Sequence, residues 1–214
     1  MTAFRSGLDR PVKRSSDRIG GGILGQVWFA GTPVTQVKQS VVPDGAAYAF
    51  VEGLGRGGLA FTGGSNPAAA ISGGGAGEDA IVAVSPGANL TIDASHAAVM
   101  ATTITISDKL VLTAASAPDA GNTRGAAGAG KYPGTQGTLS PRVGGNGGGR
   151  FGGAGGQRGS SSQQPGAGLG AGEVTTQNGQ LFPGGFGVGC VTFFTSYDDA
   201  LAFAKAVYGS SWVP

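Results

Sequence analysis

Residues 121–172 hold 20 glycines in 52 positions, with five basic residues and no acidic one. Glycine brings no side chain to bury and loses more backbone freedom on folding than any other residue. A chain keeps such a stretch as a disordered tract, as a flexible spacer, or as backbone packed too closely for side chains. The spacing argues for close packing. Gly149 and Gly152, Gly152 and Gly155, Gly156 and Gly159, Gly125 and Gly128, Gly134 and Gly137, and Gly144 and Gly147 each stand three apart. Three residues is the turn of the polyproline II helix, and glycine on every third position lets such helices lie side by side. The register breaks repeatedly, so several short runs joined by turns are expected rather than one rod.

The rest of the chain does not suit a helical bundle or an α/β enzyme. Charged residues make up 12% of the 214 positions, about half the usual share. Small residues supply most of the bulk, which suits short strands, tight turns and thin-walled folds. A net charge of +2 is too small for whole-molecule attraction to nucleic acid. Cys190 is the only cysteine, so no disulfide forms within one chain, and oligomerisation is the expected source of extra stability. No apolar run reaches the length of a membrane span, and the basic residues near the start are not followed by the apolar core of a secretory signal.

Along the chain, residues 1–32 read as an N-terminal arm. Arg5, Arg10, Lys13, Arg14 and Arg18 face only Asp9 and Asp17, and Pro11 argues against a long helix. The apolar run ILGQVWFAG, with Trp28, closes the arm as a strand or a docking plug. Residues 33–195 read as a glycine-rich β domain in which 120–172 is a loop insertion. TQVKQSVVPDG alternates into a Pro-Asp-Gly turn. AYAFVEGLG puts Tyr48, Phe50 and Glu52 on one strand face. Strands are expected at 80–84 and 90–93 around Ser85-Pro86-Gly87, and at 99–106 and 109–114 around Ser107-Asp108. GEVTTQNGQLF and GCVTFFTS supply two more. Residues 196–214 form a helix and tail: Ser196 caps it, Asp198 and Asp199 occupy the first turn, and Gly209 ends it. Trp212 is left to dock on a neighbour.

No catalytic constellation emerges. With one histidine, His96, and one cysteine, no zinc set and no Cys–His or motif-backed Ser–His–Asp set can be assembled. The acidic pairs Glu78-Asp79 and Asp198-Asp199 read as a loop edge and a helix start. Gly53, Gly55, Gly57 and Gly58 imitate a phosphate loop, but no Gly-Lys-Ser/Thr follows. No enzyme activity, cofactor or metal is expected. GGGRFGG and GGQRGS resemble arginine-glycine RNA-binding tracts, but arginine is too sparse, so nucleic-acid binding is not favoured.

The order of pieces resembles the glycine-rich domain of tail-fibre and tail-tip proteins of tailed bacteriophages. The opening strand pair runs from Val42-Pro43-Asp44-Gly45 to Val51-Glu52-Gly53-Leu54-Gly55-Arg56-Gly57-Gly58. A glycine cluster and a strand–Ser85-Pro86-Gly87–strand unit follow. Gly184-Gly185-Phe186-Gly187-Val188-Gly189-Cys190-Val191 matches the closing strand. The similarity covers about residues 33–195. Leu54, Arg56 and Leu59 interrupt the first cluster, and the C-terminal helix has no counterpart.

The resulting expectation is an all-β, sandwich-like domain with long, partly polyproline II-like glycine loops, an N-terminal arm and one C-terminal helix. The resemblance implies a virion protein, made in the host cytoplasm: a fibre or tail-tip component that binds host surface polysaccharide or an outer-membrane receptor. It would assemble with other virion proteins as a homo-oligomer, a trimer favoured. Tyr132, Arg142, Arg150, Phe151 and Arg158 are the candidate receptor contacts, because aromatic faces stack on sugar rings and cations meet carboxylates. Arg5, Arg10, Lys13, Arg14, Arg18 and Trp28 are the candidate attachment residues. The alternative is a head fibre, decoration or neck protein with a purely structural role.

Overall fold

The structure, a computed structural model, describes residues 22–32, 35–58, 73–94, 101–118, 126–139, 142–153, 157–158, 163–164, 174–175, 181–182 and 185–214. It is all-β with a single helix among these residues. Two antiparallel four-stranded sheets form the body. The first contains β1 (Ile23–Ala30), β3 (Tyr48–Leu54), β4 (Gly77–Ala83) and β14 (Val188–Phe194), in the order β1-β14-β3-β4. The second contains β2 (Val37–Val41), β5 (Asn89–Asp93), β6 (Ala101–Ile106) and β7 (Lys109–Ala115), in chain order. We call them sheets A and B.

The alternation expected from sequence sets the faces. Ala49, Val51, Val191 and Phe193 point from sheet A into a shared core, and Leu90, Ile92, Ile104, Ile106, Leu112 and Ala114 meet them from sheet B. Gly53 and Gly189 lie in the same inward rows, and a Cβ on either would collide with Leu112 or Ile92. The sheets therefore approach closely where those glycines sit. Turns fall where the sequence places them. Gly45 and Gly87 take φ of 80° and 76°, and Ser107 and Asp108 take 51° and 60° at the β6–β7 turn. Strand ends shift by one to three residues: β4 begins at Gly77 rather than at 80, so Glu78 and Asp79 are strand residues rather than a loop edge.

Helix α1 (Tyr197–Tyr208) has the expected bounds. The Ser196 Oγ accepts from the Asp199 backbone N–H, and Gly209 closes the helix with φ of 96° and a bond to the Lys205 carbonyl. Its apolar side covers the outer face of sheet A. Phe50 and Phe194 pack there against Ala200, Phe203, Ala204 and Trp212. Trp212, expected to dock on a neighbour, is instead 5% exposed and meets Phe50 edge to face at 5.6 Å.

The residues 23–30 that the sequence reading gave to the arm are built into the sheet. β1 pairs with β14 from Ile23↔Phe194 to Ala30↔Val188. The arm cations Arg5, Arg10, Lys13, Arg14 and Arg18 lie outside the described residues.

The remaining strands are two-residue pieces, four in the glycine segment and two in GEVTTQNGQLF after it, a stretch expected to form a single strand. β8 (Thr138–Leu139), β9 (Arg142–Val143), β10 (Gln157–Arg158) and β11 (Gln163–Gln164) form one small antiparallel sheet, and β12 (Val174–Thr175) pairs with β13 (Leu181–Phe182).

Candidate functional site

Sheet A has two distinct ends. Ile23, Phe194, Tyr48 and Ala83 share a row at one end, and Ala30, Val188, Leu54 and Gly77 share a row at the other. The chain enters β1 at the first end. At the second end it leaves β3 as residues 55–58, returns to β4 through 73–76 and reaches β14 through 185–187.

Among the described residues, those stretches join the glycine segment in a body whose centre holds neither strand nor helix. Residues 73–77 bond on several sides. Gly55 N–H donates to the Ala76 carbonyl at 2.9 Å and Gly58 N–H to Gly73 at 3.0 Å. Ala76 N–H donates to Ala115 at 2.9 Å, Gly128 N–H to Gly74 at 2.9 Å and Gly148 N–H to Gly75 at 2.9 Å. Gly74 and Gly77 N–H donate to Thr135 and Tyr132 at 3.0 and 2.8 Å. A strand in a sheet has two neighbours. This stretch has more, which is the geometry of a bundle of extended segments. A Cβ on Gly74, Gly134, Gly145, Gly148 or Gly152 would strike a neighbouring backbone carbonyl. Only glycine fits these positions; Gly134 and Gly152 belong to the threefold pairs read from sequence, whereas Gly74, Gly145 and Gly148 do not, and Gly149 has no atom nearer than 3.5 Å to its Cβ position.

The bundle is fastened to sheet A by two carboxylates. Glu52 on β3 and Asp79 on β4 are directly paired across the strands, on the outer face. They are 1% and 7% exposed. Two buried carboxyl groups side by side require partners, and each finds them from the glycine segment and from the C-terminal helix or tail. Arg150 Nη2 donates to Glu52 Oε2 at 2.6 Å, and Tyr208 Oη donates to Oε1 at 2.9 Å. Lys131 Nζ donates to Asp79 Oδ1 at 2.6 Å, Tyr132 Oη to Oδ2 at 2.7 Å, and Trp212 Nε1 lies 3.1 Å from both oxygens. Lys131 also reaches the Val213 carbonyl at 2.7 Å and sits 4.5 Å from the Trp212 ring centre. Tyr132 stacks on Tyr208 at 5.0 Å.

Burial dominates the electrostatics here. It pushes Glu52 up to about 7 against the opposing pull of Arg150. The Tyr132 and Tyr208 hydroxyls are raised by burial first, and then by the carboxylate each one bonds. Cys190, beside Glu52 in the row, is pushed up to about 12 by burial and by that carboxylate. It is 1% exposed, the buried small hydrophobe that its apolar strand suggests.

These contacts revise the candidate receptor residues. Tyr132 and Arg150 were expected on outward loop tips, and both turn inward onto Asp79 and Glu52. A buried carboxylate holds a cation or a phenol more strongly than solvent does. Phe151 is half-buried, with the Arg150 guanidinium 4.6 Å from its ring centre. The side chains of Arg142 and Arg158 lie outside the described residues, although their backbones pair in β9 and β10. Trp28, an attachment candidate, is 51% exposed on β1. His96 lies outside the described residues, and among those described no three His, Cys, Asp or Glu gather as metal ligands.

No known protein-family model matches the chain, and no curated protein is similar enough to count as a relative. Glu52, Asp79, Lys131, Tyr208 and Trp212 were not singled out from sequence as a group. One signal was present: Glu52 shares its strand face with Tyr48 and Phe50. A carboxylate on an aromatic face implies a buried partner.

Proposed function

We propose that this chain is a non-enzymatic structural protein of a bacteriophage particle, a fibre or tail-tip component whose glycine end faces the host surface. The observation that carries the reading is the polarity of the fold. The basic arm precedes β1 at one end of sheet A, and the glycine bundle extends from the other. One end is thus available for attachment while the other presents loops on a rigid base. Both oxygens of Glu52 and of Asp79 are engaged by protein donors, which supports a fastening role for this carboxylate pair rather than acid–base chemistry. Host contact then falls to Arg142, Phe151 and Arg158 among the sequence candidates, since Tyr132 and Arg150 are taken up internally. Host polysaccharide or an outer-membrane receptor is the ligand class.

The inward turn of Tyr132 and Arg150 favours a second reading, a decoration, neck or head-fibre protein with no receptor. Antibody raised against the purified chain separates the two on particles of the virus that encodes it. Gold label at the tail tip, with adsorption to cells blocked, supports the host-binding reading. Label on the head or neck with adsorption intact supports the second. Particles that carry no label sink both.

A further inference from the structure

Four strands form the lateral edges of the two sheets, and three of them are guarded. β4 carries Glu78 and Asp79, and the segment at Lys131 and Tyr132 bonds across it. β2 carries Lys38, exposed and paired with Ile92. β7 begins at Lys109 and breaks register opposite Ile104 and Thr105. Charges, irregularities and covering segments are the ordinary ways in which a sheet edge resists pairing. β1 differs from all three. Its eight residues include no charge and no proline. Its one irregularity lies between Ile23 and Gly25, which leaves 25–30 regular. Among the described residues β1 pairs with β14 alone. Val27 and Phe29 pack on the core only partly buried, and Trp28 is half exposed.

We propose that β1 pairs with β1 of a second copy of this chain, antiparallel about a twofold axis at Val27. This goes beyond the proposed function and stands without it. The register follows from the side chains. With Val27 opposite Val27, Gln26 of each copy lies opposite Trp28 of the other, and Phe29 lies opposite Gly25. All of these pairs keep to one face: Gln26 and Trp28 share the outer face, while Val27 and Phe29 point inward. Gly25 supplies the space that Phe29 needs, because a Cβ placed there meets no atom within 4 Å. An aromatic ring over a cross-strand glycine covers backbone that is otherwise wet. Charge also selects this edge. Self-pairing of β1 brings no like charges together, whereas β4 would oppose carboxylates and β2 or β7 would carry lysine to the joint. The product is one continuous eight-stranded sheet built from two copies of sheet A.

Sedimentation equilibrium on the full chain tests the proposal. The wild-type protein should be a dimer. The double variant Gln26→Lys, Trp28→Lys sets lysine opposite lysine twice about the axis and should weaken association by about tenfold or more. The variant Gln26→Glu, Trp28→Lys sets glutamate opposite lysine twice and should restore the dimer. Matching thermal melts for the two variants show that the fold is intact. A wild-type monomer, a trimer, or two variants that associate equally would overturn the proposal.

Discussion

Glu52 is a carboxylate on the face where sheet A meets the helix, the tail and the glycine segment, and its environment favours the protonated form. Its pKa rises from 4.5 to about 7, first because it is buried. The folded state therefore holds a proton that the unfolded chain releases. That contribution is full below pH 4.5, declines as pH rises and is gone above 7. The shift corresponds to about 3 kcal/mol. Melting temperature should fall between pH 5 and pH 8, and Glu52→Gln should flatten the profile while keeping an acceptor for Tyr208; a profile unchanged by the substitution would refute the assignment. Asp79→Ala leaves Tyr132 and Trp212 without their Asp79 acceptor and Lys131 with the Val213 carbonyl in place of its ion pair. It should cost about 3 kcal/mol in a denaturant titration and shift tryptophan fluorescence to the red. Glu52 was legible on an aromatic strand face and Asp79 in an acidic pair, but neither as part of a site, because the relevant neighbour is across the strands. Glu52 and Asp79 are far apart in sequence and adjacent only once β3 and β4 pair. Tyr132 and Arg150 were misplaced for the same reason: their partners become visible only in register.

The elements divide by how local their causes are. Helix α1 was legible to the residue, since its cap, first-turn acids and closing glycine all lie within its own stretch. The strand faces were legible through alternation. The sheet that each strand joins was not, because β1, β3, β4 and β14 come together from both ends of the chain. The glycine segments fall between these cases. Their glycine content pointed to close packing, but the threefold spacing picked out only some of the tight positions, Gly134 and Gly152 among them, and the partner of each run is set by backbone bonds that carry no side-chain signature. Substitution separates a glycine held by such packing from one that is not. Gly74→Ala drives a methyl group into the Asn146 carbonyl and should cost about 3 kcal/mol or more, through backbone displacement. Gly25→Ala has nothing within 4 Å in a single copy and no positive φ; with each substitution made in the Gln26→Lys, Trp28→Lys background, where no second copy's Phe29 faces it, it should stay within about 0.5 kcal/mol. Paired thermal melts compare them directly, and equal losses would refute the bundle.

For the whole molecule, the order of sheet A has a consequence in time. β14 lies between β1 and β3, so the strand made last separates two made early. During synthesis β1 has no partner in its sheet until Val188 and the residues after it emerge. Loop closure over that span makes assembly slow, because long-range pairing must meet its entropy before contacts return it. A chain truncated after residue 187 should show no cooperative melt by circular dichroism, even though sheet B and the β3–β4 hairpin are complete in sequence. A sharp transition in that fragment would show that the sandwich stands without its central strand. Until β14 arrives, the flank of β3 is as open as that of β1. The nascent protein thus offers both flanks of β1 and one flank of β3 to other chains, and the final strand that completes the fold withdraws the flank of β3 and the inner flank of β1 from misassembly, leaving the outer edge of β1 to the second copy.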